Sequence, residues 1–403
     1  MNDRPEMTEI TRYMYRSATG RRLSLSKAIS QLQSDAHIRT TADILSKFTG
    51  IPSSTPAVLQ AFICDRLSEI SPELSRDSIR RKVSMWIKDN MSVSKDTAIS
   101  LCFALGLDLN SADEMLKYLS GEGFHWRDPE EIVYIFSLMN NIPYSEMQGI
   151  KARMAQKGLL SGAASGDAMV YTEQVKANVC SLAAEQELEE YLRSAQNELG
   201  KLHNTAYEIF MNLMSVLQDI DVDYDMAEAL TDSDGNADAE QDMLSNAEYS
   251  MQEILTIYMH NSQIPRQARP RIGKKGGNKE HNELVLSAVQ KNIRQNWPDE
   301  ITLSKMKNRS IDVTRKVIVL LFLATDGYDD DSYDDIEDEL SAEESFAGMY
   351  ARLNNMLNNC GFAPLDSRVP FDWMVLYCMC SGDRDFIDTR IEQFLGKVFE
   401  GVQ

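Results

Sequence analysis

Two stretches of this chain spell out the same order of helix signals. In the first, Ser94, Lys95 and Asp96 lead into the apolar run LCFALGL at 101–107, followed by GFHWRDPEEIVYIFSLM at 123–139. In the second, Ser310 and Asp312 lead into VLLFLATDG at 319–327, followed by GFAPLDSRVPFDWMVLYCM at 361–379. Each reads as polar cap, apolar helix, amphipathic helix, glycine-phenylalanine turn and capped apolar helix. Apolar positions recur at helical rather than alternating intervals, so the pattern predicts an all-α chain of helical bundles with an internal duplication of a short-helix module.

Between and around these stretches the same signals continue. Ile44, Leu45, Phe48, Leu59, Phe62, Ile63, Leu67 and Ile70 keep helical spacing, broken at Gly50 and Pro52 and ended by Ser71 and Pro72. Ser75 caps a helix whose Ile79, Val83, Trp86 and Ile87 share one side, leaving Arg76, Arg80, Arg81, Lys82 and Lys88 toward solvent. Ser94 opens the next helix, Gly106 closes it in a left-handed conformation, and Asn110 or Ser111 caps the one after. Asp128 followed by Pro129 is a strong helix start. The expected order is a basic arm at 1–39, ordered or flexible, then a bundle at 40–160. A spacer or hairpin follows at 161–260, with long helical runs at 177–199 and 203–217. A basic linker at 261–282 leads to a second bundle at 283–403, which carries an acidic insertion at 326–344.

Charge narrows the function classes. The chain carries a net charge of −21, yet basic residues outnumber acids in 1–39, 76–95 and 261–309, so particular surfaces can steer an anionic partner while the whole resists nonspecific adhesion. The eleven acids of 326–344 read as a solvated loop, or as a flap competing for the basic islands. No apolar run approaches the roughly 20 residues of a membrane span, and the polar start has no signal-peptide core, so a cytoplasmic protein without membrane partners is expected. Six cysteines without paired CxxC spacing read as reduced, buried thiols. Asp221, Asp223 and Asp225 start like a calcium loop, but Met226 and Asp232 stand where glycine and glutamate belong, leaving a solvated loop.

Catalytic patterns are missing from the sequence. Five scattered histidines form no HExxH, glycines form no phosphate-cradling loop, and His125 with Trp126 reads as packing between helices. The expectation is no enzyme, no cofactor and no metal.

Residues 75–119 resemble helix-turn-helix regulators of the phage-repressor (Xre-like) type. The matching residues are Ser75 to Arg81 as the recognition region, Trp86-Ile87-Lys88-Asp89-Asn90 as a turn, and Ser94 to Leu107 as the next helix. The paired arrangement also looks like uncharacterised helical proteins of Gram-positive mobile elements. Beyond Arg76 the expected Gln or Arg pattern at the recognition helix is not evident. The resemblance implies a non-enzymatic regulator that binds DNA or RNA. Arg76, Arg80, Arg81 and Lys82 would touch phosphates or base edges, flanked by Lys88 and Lys95. Arg266, Arg269, Arg271, Lys274, Lys275 and Lys279 would form a strap adding nonspecific affinity. The alternative is a helical protein-protein adaptor or sensor of a mobile-element or phage-defence system. Oligomeric state is left open.

Overall fold

A computed structural model describes residues 9–19, 25–33, 38–88, 93–161, 172–217, 251–265, 287–325, 341–380 and 387–402. Among these residues the chain is all-α, with an isolated antiparallel bridge and no strand. The helices up to residue 194 are α1 Glu9–Thr19, α2 Leu25–Gln33, α3 Thr41–Thr49, α4 Pro56–Ile70, α5 Arg76–Lys88, α6 Lys95–Ala104, α7 Leu109–Ser120, α8 Pro129–Met139, α9 Tyr144–Gln156, α10 Thr172–Cys180 and α11 Glu185–Ser194. They continue as α12 over 204–217, α13 Met251–Ile257, α14 Ala288–Gln295, α15 Glu300–Lys307, α16 Arg315–Thr325, α17 Ala342–Asn359, α18 Pro370–Met379 and α19 Ile387–Val398.

Helix ends fall where polar side chains can take the orphan backbone groups. The Ser75 hydroxyl accepts from the Ser78 N–H at 3.2 Å, Asp128 accepts from the Glu130 N–H at 2.8 Å with Pro129 behind it, and Gly106 closes α6 at φ +63°. The cap of α7 is Asp108, which accepts from the Ser111 N–H at 2.9 Å, rather than Asn110 or Ser111. A full negative charge outcompetes neutral amide or hydroxyl oxygens at the positive end of a helix. The run expected at 177–199 is two helices, because the Glu187 carboxylate turns back onto the N–H groups of Ala183 and Ala184 and starts α11 there. Ser341 and Glu344 form a reciprocal cap on α17, so the last residues of the acidic insertion open a helix. Its remainder, 326–340, and the aspartates at 221–225 lie outside the described residues.

The buried apolar residues fall into two cores. Residues between Ala42 and Leu199, from α3 to α11, make the first. The second joins α12 to α19 with the N-terminal helices, which bring Ala18, Ile29 and Leu32 against α17, α18 and α19. The described residues of the first 39 therefore form two helices packed on the far bundle, and Ile264, inside the expected linker, is buried in that same core. Cys64, Cys102, Cys360, Cys378 and Cys380 are buried free thiols, while Cys180 is exposed.

Polar wiring joins the cores at the two glycine-phenylalanine turns. Ala363 N–H donates to the Gly121 carbonyl at 2.9 Å and Gly123 N–H donates to the Gly361 carbonyl at 3.3 Å, with Glu122 bridged to Phe362. Each turn is anchored by the helix before it: Phe124 N–H to Asp113 Oδ1 and Leu365 N–H to Asn354 Oδ1, both at 2.8 Å. Each is then held by an acid on the apolar helix that follows. Glu131 accepts the His125 N–H at 2.6 Å and the Lys95 ammonium at 2.7 Å, and Asp372 accepts the Asp366 N–H at 2.9 Å and a bidentate grip from Arg315. A Cβ at Gly123 would lie 2.3 Å from Asp113 Oδ1, so a larger residue here would displace the carboxylate that holds the Phe124 N–H. The counterpart of Ser94 before α6 is Thr314 before α16, not Ser310, and the correspondence is local, since α7 has 12 residues and α17 has 18.

The chain crosses between the cores a second time near residue 200, where Gly200 N–H donates to the Arg127 carbonyl. There the His203 ring stacks on buried His125 with centroids 3.6 Å apart, and His203 holds Asp312 through both its N–H and its Nδ1. Burial, then the neighbouring His203, Lys95 and Arg127, keep the His125 pKa well below the ordinary imidazole value. The folded chain keeps His125 neutral while the unfolded chain takes up a proton below about pH 6.5, so this residue costs stability as pH falls. Glu131, pushed up to about 7 by burial against the pull of Lys95, acts in the opposite sense. The contrast isolates His125: urea unfolding between about pH 7.5 and 5.5 should show the parent losing stability relative to His125→Phe, at up to about 1.4 kcal/mol per pH unit. Parallel profiles contradict the assignment.

Candidate nucleic-acid interface

Helix α5 rests on α4 and α3 after a five-residue connection, 71–75, one residue longer than the three to four typical of a helix-turn-helix. Ile79, Val83, Trp86 and Ile87 are buried, and their spacing fixes which side chains face out. Arg76 and Arg80, four residues apart, lie on the edge toward α4: Arg76 pairs with Asp65, and the Arg80 carbonyl accepts from Gln60 Nε2 at 3.3 Å. Arg81 and Lys88, seven residues apart, share the outermost face with Met85. Lys82 borders a 140 Å³ notch formed with Leu67, Leu74, Trp86 and Thr97. Arg80, Arg81, Lys82 and Lys88 are all exposed and form no ion pair to a described residue. The basic side chains thus form two edges and a central face rather than a single stripe.

Two assignments change. Trp86, Ile87 and Lys88 are the last residues of α5, not a turn after it, because the Trp86 and Ile87 side chains complete its apolar face. Lys95 does not flank this surface. Its ammonium is drawn inward to Glu131 at 2.7 Å and Glu122 at 3.4 Å. Burial opposes that charge, but the two glutamates outweigh it and leave the lysine pKa above its ordinary value. A lysine at the first position of a helix reads as a surface residue, and the signal that reveals its partner lies 36 residues on. There, Glu131 is an acid inside an almost wholly apolar helix and needs a buried cation. Arg266, Arg269, Arg271, Lys274, Lys275 and Lys279 lie outside the described residues.

Comparison with known proteins adds no relative: no family model, curated protein or solved structure matches the chain. No described helix is long and apolar enough to cross a membrane.

The two lysine-arginine environments predict opposite mutational costs. Lys95→Met leaves the Glu131 carboxylate buried without its cation and should lower unfolding free energy by about 3 kcal/mol. Arg81→Gln, on the exposed face, should stay within about 0.5 kcal/mol of the parent. Urea unfolding followed by circular dichroism checks both, and equal effects would refute the distinction.

Proposed function

We propose that the chain is a non-enzymatic nucleic-acid-binding regulatory protein that sets α5 against a duplex. The observation that carries this reading is the outward face of α5, where Arg81 and Lys88 stand exposed without an ion pair to a described residue, with Arg80 and Lys82 on either side. In a chain of net charge −21, four cations without ion pairs to described residues attract phosphates to that helix while acidic surfaces elsewhere repel them. Arg81 and Lys88 reach farthest and suit base edges or the facing phosphates, while Arg80 and Lys82 suit the backbones on each side. The linker cations at 266–279 add sequence-independent attraction.

A second reading, a protein-protein adaptor, draws on exposed Val58, Leu74 and Met85, apolar side chains that lie on α4, α5 and the connection between them. Fluorescence-polarisation binding to duplex DNA and RNA over a salt series separates the two. The nucleic-acid reading expects affinity that falls steeply with salt, is lost in Arg81→Glu/Lys88→Glu, and loses about one unit of salt slope in Arg81→Gln. Absence of binding to either nucleic acid at low salt overturns it.

A further inference from the structure

Helix α5 does not close against its neighbours along the whole of its Lys82 edge. Where that edge meets the end of α4 and the first turns of α6, a notch of 140 Å³ stays open. Its apolar lining is Leu67 of α4, Leu74 of the connection, and Ile79 and Trp86 of α5. Leu67, Ile79 and Trp86 are buried, whereas Leu74 is 42% exposed. Met85, one turn beyond Lys82 on α5, is 38% exposed. A formed hollow rimmed by exposed apolar side chains is the geometry of an interface anchor, in which a side chain of the partner is desolvated in a pocket.

The hydroxyls of the α6 wall already hold partners. Ser100 donates to the Asp96 carbonyl at 3.0 Å and lies 3.3 Å from the Tyr144 hydroxyl, and the Thr97 and Ser94 hydroxyls lie 2.9 Å apart. Between the charged groups of the rim the notch therefore offers apolar surface. It favours a hydrocarbon group over a nucleobase, whose ring nitrogens and amino groups would go unpaired against Leu67, Leu74 and Ile79. In size it matches one leucine or phenylalanine side chain, since a cavity of about 150 Å³ takes a benzene ring.

Charge sets the kind of partner. Lys82 stands exposed on the α5 wall, with exposed Arg81 and Lys88 beyond it and no ion pair from any of them to a described residue. Asp96 opposes them from the α6 wall, but it occupies the first turn of α6, where free backbone N–H groups offset its charge. The rim is cationic on balance. Lys82 and Met85 lie one turn apart, a spacing that a second helix laid along α5 matches with its own side chains three or four residues apart.

We propose that the notch is the docking site of an acidic amphipathic helix of a partner protein, which seats one leucine or phenylalanine between Leu74 and Trp86 and pairs its acids with Lys82 and Arg81. Such a partner covers cations that the nucleic-acid reading gives to phosphates, so docking and duplex binding exclude one another. That last consequence alone rests on the nucleic-acid reading.

Fluorescence anisotropy of a labelled synthetic helix tests the docking in the absence of nucleic acid, so its outcome is separate from that of the salt series. The probe is about 18 residues long and carries a central leucine with glutamates one turn away on either side. Saturable binding to the full chain is expected, weakened about tenfold or more when the leucine of the probe is replaced by alanine. Replacing its glutamates by lysines should abolish binding. In the chain, Leu74→Ser and Lys82→Glu should each weaken binding about tenfold; both positions are exposed, and circular dichroism confirms that the variants are folded. The proposal is overturned if the glutamate probe does not bind, if the alanine or lysine probe binds as well, or if folded Leu74→Ser binds as the parent does. Dimerisation of the parent that Leu74→Ser abolishes, or loss of duplex affinity in Leu74→Ser, gives the notch to a second copy or to nucleic acid and overturns it equally.

Discussion

Two buried carboxylates set the arrangement of this molecule. Glu131 and Asp372 sit at the third position of the most apolar helices, α8 and α18, where an acid without partners would be strongly unfavourable. Each is satisfied twice over, by a backbone N–H six residues earlier and by a cation from the first turn of another helix. Helix start, turn and apolar helix are thereby tied into one unit in each half. Because the two turns also bond to each other through Gly121, Gly123, Gly361 and Ala363, the relation between the cores follows from the same wiring.

That wiring explains why the chain crosses between cores as it does. The N-terminal helices belong to the second core, so the chain must pass to the first near Arg39, and this residue is fastened on the way. Its N–H donates to the Arg368 carbonyl, its guanidinium reaches Asp366 at 2.6 Å, and it covers the Tyr118 ring. Burial pushes the Asp366 carboxyl up to about 6 against the pull of Arg39. On the return, His203 spans the junction between His125 and Asp312. The basic face of α5 is exposed on the first core, apart from an open cleft of 780 Å³ that lies between the two.

Local features were readable from sequence because their causes are local. Ser75, Asp128 with Pro129, Gly106 and Gly361 announce helix ends through capping and backbone conformation, and the buried side of α5 follows from the spacing of Ile79, Val83 and Trp86. What was missed depends on distant partners. Nothing near Lys95 shows that its ammonium turns toward Glu131, and nothing in 1–39 shows that Ala18 and Ile29 fill a core built from residues beyond 200. Asp108 and Asn110 are both good cap residues two positions apart, and a residue-type rule does not choose between them. The cleft between the cores is lined by six separate segments, which only the fold brings together.

The most direct test of this account is native-state hydrogen exchange at the two turns. If the buried acids tie the cores together, the amides of His125 and Asp366 exchange only with global unfolding, and Arg315→Met speeds exchange at Asp366 and Ala363 before it reaches α4. Exchange at both turns as fast as in an exposed loop, with the cores still folded, would contradict it.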